Sequence, residues 1–116
     1  MKLNHIDLPV TDTASARSFF ERHFHMTCVY AREDGLTVLL DEDGAALTLS
    51  PLPPGEPVKY PTGFHIGFNL DHEHELYEVH RSIVAGAVPI VRPIGDLAGA
   101  TAFHCEAPGE ILVEIA

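Results

Sequence analysis

The chain has 116 residues, 46% hydrophobic and 21% charged, enough for one compact domain and too few for two of ordinary size. Seventeen acids against seven bases give a formal charge of −10, a field that repels phosphate backbones and argues against nucleic acid as a partner. No stretch approaches the roughly 18 apolar residues a membrane span needs. Met1-Lys2-Leu3-Asn4-His5 enters strand pattern without an apolar leader, so a cytoplasmic protein with no membrane partner is expected.

Residues Leu3 to Val10 alternate, with Asn4, Ile6, Leu8 and Val10 on one face and Leu3, His5, Asp7 and Pro9 on the other, the period of a strand. Asp12 stands where a helix N-cap belongs. Ala16, Phe19, Phe20, His23 and Phe24 then recur at helical spacing, which predicts a helix with an aromatic core face. Three short strands are expected at about Thr27 to Arg32, Leu36 to Asp41 and Ala45 to Ser50. Glu33-Asp34-Gly35 and Glu42-Asp43-Gly44 supply the turns between them. Pro51-Leu52-Pro53-Pro54-Gly55-Glu56-Pro57 can be neither regular helix nor central strand and reads as a connector.

The same order then returns. Gly63 to Leu70 alternates, with Phe64, Ile66, Phe68 and Leu70 opposite His65, Gly67 and Asn69. Asp71 is placed to cap a helix with the stripe Leu76, Val79, Ile83 and Val84, closed by Gly86 at the position after its last turn. Strands follow at about Val88 to Arg92, Ala100 to Cys105 and Ile111 to Ile115. The expected class is α+β: two βαβββ modules forming a curved open sheet with a concave metal-binding cup. Module one covers about 1–50, the linker 51–62 and module two 63–116, within a single domain over 1–116.

Eight histidines are many for so short a chain, whereas Cys28 and Cys105 form no C-x-x-C pair and read as free thiols. Alternation puts His5, His65 and Glu114 on strand faces opposite strongly apolar ones, hence away from the helices and inside the cup. Two imidazoles and a carboxylate on rigid strands suit a divalent transition metal with coordination positions left open. Taken singly, each is as readily a surface or hydrogen-bonded side chain; the shared face is what argues for a site. Asp7 and Asn69 share the inward faces of His5 and His65, where they would orient ligands or substrate, or simply face water. His104 reads either as a general base near the metal or as a packed strand histidine. His72-Glu73-His74-Glu75 reads as a solvated helix start, where acids suit the dipole.

The string Leu3-Asn4-His5-Ile6-Asp7-Leu8-Pro9-Val10, with Asp12 and Phe19-Phe20-Glu21, resembles the opening of the vicinal oxygen chelate superfamily, the glyoxalase/bleomycin-resistance/extradiol-dioxygenase proteins. Gly63-Phe64-His65-Ile66-Gly67-Phe68 resembles the start of their second module, and Ala107-Pro108-Gly109-Glu110-Ile111-Leu112-Val113-Glu114 their closing segment, with Ala107 where Asp is usual. The resemblance implies His5, His65 and Glu114 as ligands of one divalent cation (Fe, Mn, Ni or Zn), a homodimer, and a small oxygenated substrate activated by metal chelation and oxyanion stabilisation. Thr48 lies in the stretch where glyoxalase I and methylmalonyl-CoA epimerase carry a fourth, acid–base ligand, which argues against both activities. Arg92 and His104 fall near the pocket Lys and Tyr of fosfomycin transferases, so Thr48 and Arg92 join Asp7 and Asn69 as expected substrate contacts. The alternatives left are a lyase or isomerase, a dioxygenase, a fosfomycin-type transferase, or a metal-free bleomycin-resistance-type protein that sequesters a hydrophobic ligand in a dimer groove.

Overall fold

Period-2 segments become strands, and the two apolar stripes become helices. The structure, a computed structural model, describes residues 1–116. In chain order it contains β1 (His5–Val10), α1 (Thr13–Phe24), β2 (Thr27–Ala31), β3 (Thr37–Leu40), β4 (Ala46–Pro51), β5 (His65–Phe68), α2 (Glu73–Ala85), β6 (Ile90–Leu97), β7 (Ala100–Ala107) and β8 (Ile111–Ile115). The chain divides into two compact units, Met1–Lys59 and Tyr60–Ala116. Each is a βαβββ module with its own open four-stranded sheet, so the expected α+β class holds. No helix is long and apolar enough to cross a membrane.

In the first unit the strand order is β1-β4-β3-β2, with β1 parallel to β4 and the other pairs antiparallel. Asp12 caps α1 as its sequence position suggests. Its carboxylate accepts from the Ser15 N–H at 3.0 Å and the Ser15 hydroxyl at 2.6 Å, and those bonds hold the Asp12 carboxyl below the usual range. Ala16, Phe19, Phe20 and His23 on α1 are buried, as are Leu8, Val10, Leu39, Leu47 and Leu49 on the strands. Register explains the shared face: Leu8 pairs with Leu49, and Leu39 with Leu47. Each such side chain contributes about 1.5–3 kcal/mol by leaving water. The Arg32–Asp34 turn reverses at Gly35, whose φ of +103° is open to glycine, and where a Cβ would come within 2.8 Å of Thr13 Oγ1.

In the second unit the order is β5-β8-β7-β6, again with the first pair parallel. Phe103, Cys105, Ile111, Val113 and Ile115 are fully buried with Leu76 and Ile83 of α2, and His80 of α2 sits edge-on to Phe103 at 5.0 Å. Burial pushes the Cys105 thiol up to about 12. Both cysteines are free.

Several boundaries differ from the sequence reading: β4 takes in Pro51, β5 is shorter than Gly63 to Leu70 and β7 runs on to Ala107, and three further differences have a visible cause. The N-cap of α2 is His72, not Asp71, because the Glu75 carboxylate reaches back to accept from the His72 N–H at 2.9 Å. The left-handed residue after α2 is Ala87 (φ 55°), not Gly86 (φ −81°). The closing bonds from the Ala87 N–H to the Val84 carbonyl and from the Val88 N–H to the Ile83 carbonyl put the reversal one residue later. Strand β6 runs on to Leu97 through Pro93. It is an edge strand, and register shifts between Ile90, Arg92 and Gly95 absorb the missing N–H.

Truncating Leu39, fully buried in the first unit, is expected to cost about 2–5 kcal/mol in L39A, measured by urea denaturation. His23 supplies a pH test. Burial, and secondarily the Arg22 charge, lower its pKa from the ordinary 6.5. The unfolded chain then binds a proton that the native state refuses, so stability is full above pH 6.5 and falls as pH drops below it, toward the lowered native value. The expected outcome is a smaller loss of unfolding free energy between neutral and mildly acid pH in His23→Leu than in wild type; equal losses would remove His23 as the cause.

Candidate functional site

On β8, Ile111, Val113 and Ile115 turn toward the helix side, so Glu114 must emerge on the opposite face. In register it lies between Gly67 of β5 and His104 of β7, and His104 pairs in turn with Arg92 of β6. The row across the open face is therefore Gly67, Glu114, His104, Arg92. His65 stands one step along β5, opposite Leu112. Since Gly67 carries no side chain, nothing on β5 stands between the His65 ring and Glu114. His65 Nε2 comes within 3.7 Å of Glu114 Oε2.

The hydrogen bonds assign the ring protons. His65 Nδ1 lies 2.9 Å from the Gly63 carbonyl oxygen, which can only accept, so Nδ1 carries a proton, and in the neutral ring the Nε2 lone pair faces Glu114. His104 is the opposite tautomer. Its Nε2 is 2.9 Å from Glu114 Oε2, so Nε2–H donates to the carboxylate. Burial rises away from the solvent side, with side-chain exposure of 44% for His65, 25% for Glu114 and 15% for His104. The two imidazole rings are 6.0 Å apart, tilted by 33°.

In the first unit, His5, Asp7, Thr48 and Ser50 share the face away from the Leu8, Leu39 and Leu49 core. His5 Nδ1 is 2.8 Å from Asn4 Oδ1, the same arrangement as in His65, which leaves its Nε2 lone pair free. Asp7 Oδ1 accepts from the Ser50 hydroxyl at 2.5 Å. The register row here is Asp7, Thr48, Val38, Tyr30. Thr48 thus occupies in this unit the place Glu114 holds in the other, and Val38 the place of His104.

So His65, His104 and Glu114 come together in the second unit with Arg92 next in register, and His5, Asp7 and Thr48 gather in the first. Asn69 is exposed, one residue past the end of β5. Arg92 is exposed and donates through Nη2 to the Asp96 carbonyl at 3.3 Å. Sequence reasoning missed the residues that orient the imidazoles, Asn4 and Gly63. A polar or reversing residue one or two positions before each histidine was the available signal. It also missed Ser50, whose inward parity with Thr48 could have marked it. His72 and His74 stack on one another at 5.5 Å at the start of α2.

No three His, Cys, Asp or Glu side chains of the chain are set to hold a metal ion. The donors nonetheless have the right chemistry for one. His65 offers a neutral nitrogen lone pair and Glu114 a carboxylate oxygen. Their 3.7 Å separation is one that a single cation with bonds of about 2.0–2.2 Å can bridge.

Residues 2–115 match the family model described as the Glyoxalase/Bleomycin resistance protein/Dioxygenase superfamily. No curated protein gives a significant match. Among solved structures, the chain is 32% identical to a possible glyoxalase from Bacillus cereus, covering 99% of this chain and 97% of that one, with a TM-score of 0.86. It is 20% identical to the fosfomycin resistance protein FosX from Listeria monocytogenes, covering 99% and 91%, with a TM-score of 0.83. A point mutant of that protein was solved with Mn(II) and 1S,2S-dihydroxypropylphosphonic acid; it is 21% identical over 98% of this chain and 87% of that one, with a TM-score of 0.82. A lactoylglutathione lyase from Agrobacterium tumefaciens is 17% identical, covering 98% and 91%, with a TM-score of 0.77. At under 25% identity, the FosX and lyase structures speak for the fold alone.

The tautomers are directly measurable. Long-range ¹H–¹⁵N correlation spectra at mildly alkaline pH should show His65 protonated on Nδ1 and His104 on Nε2; the reverse pattern at His65 would remove the lone pair aimed at Glu114.

Proposed function

Because the chain belongs to the glyoxalase/bleomycin resistance protein/dioxygenase superfamily, we propose that it is a metal-dependent enzyme acting on a small oxygenated substrate, with His5, His65 and Glu114 as ligands of one divalent cation. The observation that carries this reading is the pinned state of both histidines. Each has its Nδ1 proton held by an oxygen acceptor, which in the neutral ring leaves the lone pair on Nε2 and restricts the ring orientation. The Mn(II)-bound FosX structure shows that a protein of this fold takes a divalent cation.

A cation held by these residues, whether Fe(II), Mn(II), Ni(II) or Zn(II), supplies Lewis-acid chemistry toward neighbouring oxygens of a hydroxy-carbonyl, catechol-like or epoxide substrate. The chain's own groups do the rest. Glu114 offers a negative charge from a strand paired on both sides, so its backbone does not have to be ordered at the moment of binding. Asp7, Thr48 and Asn69 offer hydrogen-bonding groups to substrate hydroxyls or carbonyls. Arg92, beside His104 in register, is a cation for an anionic part of the substrate. Thr48 cannot act as the acid–base carboxylate that its register position would allow, which favours reactions needing three ligands and no second carboxylate.

The reading includes assembly. The two units together form one glyoxalase-like domain, and the working form is a homodimer. β1 and β5 each have a strand neighbour on one side only, and pairing between copies covers such edges.

Metal analysis of protein purified without an affinity tag tests the proposal. One divalent cation per site is expected, lost in His65→Ala and in Glu114→Ala. Saturation at about 100 times the dissociation constant should stabilise the fold by about 2.7 kcal/mol, read from melting with and without chelator. Wild-type protein that takes up none of Fe(II), Mn(II), Ni(II) or Zn(II), yet binds aromatic ligands, would make this a sequestering protein instead.

A further inference from the structure

The second unit holds a polar side chain whose role the ligand set does not explain. His104 is the least exposed of the three clustered residues, at 15%, and it spends its Nε2–H on Glu114 Oε2 at 2.9 Å. That is the same oxygen that faces His65 Nε2 at 3.7 Å. Strand register dictates the contact. His104 and Glu114 are direct partners across the antiparallel β7–β8 pair, on neighbouring strands in the middle of the sheet. Their backbones are held by ladder bonds on either side, so the two side chains meet without either strand having to move.

We propose that His104 is a positioning residue: through its Nε2–H it selects the Glu114 rotamer that presents Oε2 toward the His65 lone pair, and so sets how tightly the site takes a divalent cation. This rests on the metal reading above. The physical case has three parts. A glutamate has three rotatable side-chain bonds, and a free carboxylate would sample several orientations. Fixing it in advance removes that entropy from the binding step. A carboxylate at 25% exposure has lost part of its hydration, and a directed donor compensates for the loss before any cation arrives. Finally, the first unit has Val38 at the register position of His104 and Thr48 at that of Glu114. The imidazole donor occurs where its register partner is a glutamate, and is absent where that partner is a threonine.

His104 thus reaches the chemistry through Glu114.

The test uses the full-length protein and Mn(II) alone as the probe. His104→Phe keeps a ring but removes the donor; His104→Gln restores an N–H donor at the reach of Nε2. The Mn(II) dissociation constant is expected to rise about 10- to 100-fold in H104F, the range for loss of a group that orients a ligand, and to recover most of that in H104Q. Melting temperatures of the apo proteins control for folding. Electron spin echo spectra of bound Mn(II) should show the same number of coupled imidazoles in wild type and H104Q. Wild-type affinity in H104F, with binding abolished in Glu114→Gln, overturns this inference and leaves the metal reading intact. An imidazole lost from the spectrum in H104Q also overturns it, because His104 would then be a ligand. A wild-type chain that binds no Mn(II) overturns both.

Discussion

Burial of one face of each strand against a helix is the constraint from which the rest follows. Val113 and Ile115 on β8, with Phe103 and Cys105 on β7, are fully withdrawn from water beneath α2. Because side chains alternate, that burial leaves Glu114 and His104 no option but the other face. A register slip by one residue would send the carboxylate into the apolar layer and three large side chains into water, at a cost of several kcal/mol. The geometry of the polar row is thus maintained by hydrophobic residues that never touch it. The same holds in the first unit, where Leu8, Leu39 and Leu49 oblige His5, Asp7 and Thr48 to face outward.

The two units share a scaffold and differ in what they place on it. Across corresponding register positions, one carries Asp7, Thr48, Val38 and Tyr30, and the other Gly67, Glu114, His104 and Arg92. The first row passes from polar to apolar and aromatic; the second passes from an empty position to a carboxylate, an imidazole and a guanidinium. The glycine matters as much as the charges, since an empty position on β5 is what lets the His65 ring lean across toward Glu114. The parts that must stay alike for folding, the parallel first-to-last strand pair and the helix-facing apolar residues, are alike.

Net charge is a poor guide to this face. The chain carries −10 overall, yet the open face of the second unit gathers two imidazoles around one carboxylate, with Arg92 next to His104 in register. The acids sit mainly in turns and at the start of α2, where they make local bonds such as Arg32–Asp34 and the Glu75 cap. Those exposed pairs contribute little to stability. They do not determine the electrostatics of the strands.

Alternation and turn chemistry in the amino-acid sequence were enough to determine the element order, the α+β class and which face each strand histidine takes, because side-chain direction in a strand depends only on parity and on which neighbours are apolar. They could place Asp12 at a cap, but not choose His72 over Asp71, since that choice turned on whether Glu75 could reach back. Which side chains touch was decided only by tertiary structure. The His104–Glu114 bond depends on the β7–β8 register, and the orientation of His65 depends on a carbonyl two residues earlier turning back toward its ring. Neither leaves a periodic trace in the chain. Both follow from distances set once strands far apart in sequence are laid side by side.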